Sequence, residues 1–180
     1  GHDHFLTAVV EIDKRLVNVI DVEKIFAEIS DLDAEVSRTL KEKLEGVPLH
    51  EITILAVDDS SVARNQVKKA LTSIGFQVEL AKDGREALEW LINRSDHLGS
   101  SFHEKIPLVV SDIEMPVMDG YTLTSEIKSH PRLRETHVIL HSSLSGQFNE
   151  TMVKKVGADN FIPKFHPDEL TGLVTKLLDV

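Results

Sequence analysis

The chain has 180 residues, 41% of them hydrophobic and 28% charged, and sets 20 Lys and Arg against 30 Asp and Glu for a net charge of −10. This is the composition of a chain that can bury a core, not of a disordered one, and the length admits one full domain plus a fragment of another. The negative field disfavours nucleic-acid phosphates and anionic lipid surfaces, the lack of cysteine removes disulfides, thiolate metal sites and Cys nucleophiles, and no apolar run reaches the roughly 20 residues of a membrane span. The expectation is a cytoplasmic protein with no nucleic-acid partner and no membrane insertion.

Gly1 to His4 reads as a leader left by cloning and stands outside the fold argument. Leu6 to Glu11 and Leu16 to Ile20 are two short β-rich runs around the polar Ile12-Asp13-Lys14-Arg15, the pattern of a hairpin. Asp21 to Ile29 has helical spacing. Leu32, Val36, Leu40 and Leu44 then recur every four residues on a helix predicted over 31–45, which Gly46 and Pro48 end. The acidic bias is steeper before residue 52 than after it, and the chain divides near Pro48. Two strands and two helices cannot cover both faces of a sheet, so this first part is expected to be the end of something larger.

From Glu51 the pattern alternates. Apolar or β-branched runs at 52–57, 76–81, 107–110, 137–140 and 160–162 are separated by helical stretches at 60–74, 84–93, 120–128, 147–156 and 168–178. Five β-α units predict an α/β domain with a doubly wound parallel sheet covered on both faces. In such sheets chemistry sits at the carboxyl ends of the strands. The stretch from Ser95 to Lys105 is long for a connection and reads as a mobile loop whose histidines are solvated.

Asp58 and Asp59 follow the first of these strands and Asp112 follows the third, so neighbouring central strands would bring their carboxylates together. Carboxylates packed close repel one another unless a cation compensates. A hard divalent ion such as Mg²⁺, which takes oxygen ligands, answers that need. The plainer reading of Asp58 and Asp59 is a pair of acids at a helix N-terminus. Ser142 and Lys164 follow the fourth and fifth strands. Taken singly they read as a turn residue and a solvated charge; together at one sheet edge, a hydroxyl and an ammonium can hold a phosphoryl group.

These residues resemble the receiver domain of two-component response regulators. The resemblance spans 51–180 and rests on Val57-Asp58-Asp59-Ser60, on Ser111-Asp112-Ile113-Glu114-Met115-Pro116-Val117-Met118-Asp119-Gly120, on Leu140-His141-Ser142-Ser143, on Gly157-Ala158-Asp159 and on Pro163-Lys164. It implies a flavodoxin-like (βα)5 fold with strand order 2-1-3-4-5 and an N-terminal hairpin and helix extension. It implies Asp112 as phosphoacceptor and Asp58, Asp59, Asp112 and the Glu114 backbone carbonyl as Mg²⁺ ligands. Ser142, Lys164 and the aromatic Phe161 would contact the phosphoryl group and relay the switch. Phe161 also reads as plain strand core. The chain departs from the family pattern at Phe165, where a proline usually follows the lysine.

Residues 5–47 resemble the end of a CheW-like coupling domain with a linker helix, and a coupling domain followed by a receiver is the arrangement of CheV-type chemotaxis proteins. That resemblance implies a phosphoacceptor signalling domain, not an enzyme, phosphorylated by a CheA-like histidine kinase. It would tune receptor-kinase coupling or act as a phosphate sink, with chemoreceptors bound through the full coupling domain. A phosphate-independent scaffold and a regulator of another two-component pathway are the alternatives.

Overall fold

The computed structural model describes residues 6–12, 15–20, 44, 46–142, 147–164 and 166–180. The chain divides into two compact units, Gly1–Asp33 and Ala34–Val180. In the first, β1 (Leu6–Ile12) and β2 (Arg15–Ile20) pair antiparallel in a hairpin, with Ile12 opposite Arg15 at the turn. The helices expected over 21–29 and 31–45 lie outside the described residues, apart from Leu44.

The second unit is the predicted α/β domain. Its elements run β3 (Thr53–Val57), α1 (Ser61–Thr72), β4 (Gln77–Ala81), α2 (Gly84–Leu98), α3 (Phe102–Lys105), β5 (Leu108–Asp112), α4 (Gly120–Ser129), β6 (His137–Ser142), α5 (Gln147–Val156), β7 (Asn160–Pro163) and α6 (Pro167–Leu178). The five strands are parallel in the order β4-β3-β5-β6-β7, which is 2-1-3-4-5 counted within the domain. The expected fold and strand order are both present.

Strand alternation sorts the core into two layers. Ile54, Ala56, Leu108, Val110, Ile139 and Ile162 face α1 and α6, where Val67, Leu71, Leu170 and Val174 meet them. Leu55, Val57, Val109, Val138 and Leu140 face α2, α4 and α5, through Leu88, Leu91, Leu123, Ile127 and Val153. Every residue of β5 is buried, as a central parallel strand requires. Leu44 and Leu49 join the first layer from the segment before β3.

Helix starts follow their caps. Ser60 accepts the Ala63 amide, Asp83 the Glu86 amide and Asp119 the Thr122 amide, each oxygen taking an amide that the first turn leaves open. The stretch from Ser95 to Lys105 corrects the sequence reading. It is not a loop: α2 runs five residues beyond the predicted end at Asn93, a 3-10 turn covers Gly99–Ser101 and α3 follows. The cause is Phe102, 1% exposed and seated in the α2 and α4 layer, which gives the connection an apolar anchor. His103 lies against the Phe102 ring and is half-buried, so only His97 is solvated as expected.

At the amino end of the sheet, Asp159 gathers several donors. Its carboxylate accepts from Lys128 Nζ at 2.8 Å and from the Val138 amide at 2.8 Å, and His137 Nδ1 stands 3.0 Å away. Lys128 also donates to the Thr136 carbonyl, tying α4 to the start of β6. Burial alone would raise the Asp159 pKa, but Lys128, the Val138 amide and His137 together hold it below the ordinary carboxylate value. A carboxyl held low contributes stability in full above about pH 4, and the contribution is lost as pH falls through the lower folded value. Asp159→Ala should cost about 1 to 2 kcal/mol at pH 7 in urea denaturation. The gap from wild type should shrink at pH 2; a gap that stays constant would remove the carboxylate from the account.

Candidate functional site

The parallel register brings the strand ends into one row. Val57 lies beside Ser111, Asp112 beside His141 and Ser142 beside Pro163. The alternation that turns Ala56, Val110, Ile139 and Ile162 toward α1 and α6 then carries Asp58, Asp112, His141 and Lys164 onto the same face. Ser142 and Phe161 continue the opposite face, with Leu140 and Val57.

Asp58 and Asp112 are each 1% exposed and Lys164 is 6% exposed. Lys164 Nζ stands 3.2 Å from Asp58 Oδ2 and 3.1 Å from Asp112 Oδ2, so one buried ammonium bridges two buried carboxylates. Its backbone is fixed from β6, since the Lys164 amide donates to the Ser142 carbonyl. The Ser60 amide donates to Asp58 Oδ1 at 2.8 Å, and Arg64 Nη1 donates to the Asp58 carbonyl from α1. Asp59 is exposed at the rim. One ligand atom from each of Asp58, Asp59 and Asp112 lies within 4.8 Å of the others.

Among the described residues, Lys164 does not balance this set. Burial first, and the Asp58 charge second, push the Asp112 carboxyl up to about 7 against the pull of Lys164 and the Glu114 amide. Asp112 Oδ1 is buried with no hydrogen-bond donor. An all-oxygen cluster with an orphaned carboxylate oxygen and a carboxyl driven toward protonation fits a hard divalent cation. Asp58, Asp59 and Asp112 could hold Mg²⁺, with the Glu114 carbonyl following two residues after Asp112.

Glycine makes the approach possible. An added Cβ at Gly120 would lie 2.1 Å from the Asp112 carbonyl oxygen, and one at Gly84 would lie 2.7 Å from the Met118 carbonyl oxygen. The segment between Asp112 and Gly120 thus closes tightly, with the Gly120 amide donating to the Ile113 carbonyl at 2.9 Å. Val117, at its tip, is 80% exposed with φ 68. A β-branched residue is strained in that region, so the tight return of the chain outweighs its preference.

The other expected site residues are placed as follows. Ser142 is 1% exposed with Oγ 3.5 Å from Glu114 Oε2. Phe161 is half-buried against the α2 and α4 layer. The loop after Ser142 and the Lys164-Phe165 peptide lie outside the described residues. The sequence reading gave no role to His141, which is 4% exposed with Nε2 3.5 Å from Asp58 Oδ2. Its signal was available: two residues after Ile139 on one strand, it must share the face of Asp112.

The profile described as the response regulator receiver domain matches residues 54–175. The chain belongs to the response regulator receiver family. It is 31% identical to chemotaxis protein CheV3 of Helicobacter pylori over 175 residues, which cover 96% of this chain and 54% of that one. The chain spans about half the length of the curated CheV relatives it matches. Among solved structures, the receiver domain of a signal transduction histidine kinase from Syntrophus aciditrophicus is 34% identical, with TM-score 0.61 over 71% of this chain and 89% of that one. A CheX-CheY complex with BeF3 and Mg²⁺ from Borrelia burgdorferi is 30% identical, with TM-score 0.60 over 71% and 89%. These similarities are consistent with a CheV-type receiver, a signalling domain of two-component systems. No helix among the described residues is long and apolar enough to cross a membrane.

The electrostatics of the receiver give a pH test. Folded Asp112 keeps its proton up to about pH 7, while the unfolded carboxyl loses it near the ordinary value of 3.8. The folded state binds more protons across that window, so stability falls as pH rises through it. Asp112→Asn should therefore be more stable than wild type by about 1 to 3 kcal/mol at pH 8 in a chelator. Thermal denaturation should show the difference closing toward pH 4. Equal melting temperatures at pH 8 would mean that Lys164 already balances both carboxylates.

Proposed function

We propose that this receiver is the phosphoacceptor of a cytoplasmic chemotaxis pathway, modified on Asp112 by a CheA-like histidine kinase with Mg²⁺. The observation that carries the reading is the Lys164 ammonium, 3.1 Å from Asp112 and 3.2 Å from Asp58, beside a carboxylate oxygen that has no donor. In the transfer, an Asp112 carboxylate oxygen attacks the phosphorus of a phosphohistidine. The O–P bond forms, the P–N bond breaks, and the imidazole leaves with the electron pair and takes a proton. Held by Asp58, Asp59, Asp112 and the Glu114 carbonyl, Mg²⁺ would supply the positive charge that keeps the carboxylates ionised and offsets charge on the transferred oxygens.

This chain's own groups do the rest. Lys164 contacts the phosphoryl oxygens and neutralises them. Ser142, buried on the next strand, donates its hydroxyl to a phosphoryl oxygen and so draws the β6 end toward Asp112, while Phe161 repacks on the same face. Similarity to CheV3 across nearly the whole chain supports residues 5–47 as the end of a CheW-like coupling domain. The complete coupling domain would bind chemoreceptors and the kinase, and phosphorylation would tune that coupling or drain phosphoryl groups. A net charge of −10 disfavours nucleic acid as a partner.

Incubation with acetyl phosphate and Mg²⁺ should add one base-labile phosphoryl group to the wild type and none to Asp112→Asn. An adduct that persists in the variant moves the site elsewhere, and no adduct on the wild type favours a scaffold that works without phosphate. Ser142→Ala should still take the group but lose most of the chemical-shift change that beryllofluoride and Mg²⁺ induce in the wild type. A full response in that variant removes Ser142 from the switch.

A further inference from the structure

Arg64 reaches back from α1 to the end of β3. Its amide donates to the Ser60 carbonyl at 3.0 Å, closing the first turn of the helix, and its Nη1 donates to the Asp58 carbonyl. That carbonyl belongs to the peptide joining Asp58 to Asp59, whose plane sets the direction in which the Asp59 side chain leaves the backbone. The three carboxylates of the site are held to different degrees. Asp58 is fixed on several sides: its amide donates to the Ala81 carbonyl at 3.2 Å, and its carboxylate takes the Ser60 amide at 2.8 Å and Lys164 at 3.2 Å. Asp112 is buried at the end of β5 beside the same lysine. Asp59 is exposed at the rim, so packing does not hold its carboxylate and its aim depends on the peptide before it. Arg64 clamps that peptide from the neighbouring helix.

We propose that Arg64 is a positioning residue for the divalent cation, fixing the Asp58–Asp59 peptide so that the Asp59 carboxylate meets the ion together with Asp58 and Asp112. The inference rests on the reading of these three residues as Mg²⁺ ligands. Mg²⁺ demands near-octahedral geometry and short bonds, whereas Ca²⁺ tolerates longer bonds and irregular ligand sets, so a ligand that loses its aim costs the smaller ion more. The guanidinium also brings a positive charge to the site, and charge alone opposes any cation. Removing Arg64 therefore gives opposite signs for the two roles. Loss of aim weakens Mg²⁺ binding; loss of charge strengthens it. A peptide carbonyl accepts from any donor of similar reach, so lysine is the conservative replacement.

Calorimetric titration of the whole chain with Mg²⁺ and with Ca²⁺ separates these roles. Arg64→Met keeps the aliphatic stem without the donor or the charge. It should bind Mg²⁺ about tenfold more weakly than wild type, while its Ca²⁺ affinity changes by less than about threefold. Arg64→Lys restores a donor and should bind Mg²⁺ within about threefold of wild type. A Met variant that binds Mg²⁺ as tightly as wild type, or more tightly, overturns the inference, because Arg64 then acts only as a charge. Equal weakening of both ions also overturns it, as a general disturbance of the site, and so does a Lys variant as weak as Met. NMR of the wild type needs no variant to fold: the Arg64 guanidinium should be restricted in rotation, and a freely rotating group refutes the clamp. A wild type that binds neither ion removes the metal site itself, whereas each of the other failures removes only Arg64 and leaves Asp58, Asp59 and Asp112 as ligands.

Discussion

One ammonium held between two buried carboxylates sets the terms for the rest of the receiver. Asp58, Asp112 and Lys164 come from the carboxyl ends of β3, β5 and β7, no two of which are consecutive along the chain, and all three are nearly excluded from solvent. Burying such charges is costly unless they are paired, and among the described residues one positive charge stands against two negative ones. The deficit is visible in the Asp112 carboxyl, pushed up to about 7 chiefly by burial and by Asp58. A site left short of positive charge is primed to gain a cation. The backbone around it is correspondingly closed, with Gly120 set against the Asp112 carbonyl so tightly that no side chain fits.

Most of the fold was legible because its signals are local and repeat. Strands such as Val109 and Val110 or Val138, Ile139 and Leu140 are short apolar runs, and each helix between them carries apolar residues on one face. The strand ends named the acids, the hydroxyl and the lysine directly. What stayed hidden depends on three-dimensional packing. Phe102 looked like part of a Gly- and Ser-bearing loop, and only the pocket in the α2 and α4 layer explains why Gly99–Lys105 is helical. Asp159 looked like part of a short motif, yet its three neighbours, Lys128, His137 and Val138, come from α4 and β6. His141 was passed over because a histidine at a strand's end has no spacing partner in sequence; its partners lie across strands.

The two ends of the sheet hold charge in opposite ways. At the amino end, donors outnumber acceptors around Asp159, and its carboxyl is held below the ordinary value. At the carboxyl end, burial and the neighbouring Asp58 charge outweigh Lys164, and the Asp112 carboxyl rises. The first arrangement stabilises the fold at neutral pH; the second gives up stability there and leaves a site that a cation or phosphoryl transfer can complete. This separation matches the general placement of chemistry at the carboxyl edge of parallel sheets, and it keeps changes at the site apart from the contacts that hold α4 to β6.

Strand β6 joins the two faces of the site. Its alternation puts His141 on the face of Asp58, Asp112 and Lys164, and puts Ser142 on the face that carries Leu140 and Phe161. The Lys164 amide is bonded to the Ser142 carbonyl, so a movement at the end of β6 is transmitted to the backbone that carries the ammonium. In the proposed reading, a phosphoryl group on Asp112 would be sensed at the end of this strand. Ser142 would respond through its hydroxyl on one face, and Lys164 would respond on the other, its amide being bonded to the Ser142 carbonyl. These two responses would be coupled by the backbone itself, because that hydrogen bond joins the end of β6 to the residue that carries the ammonium.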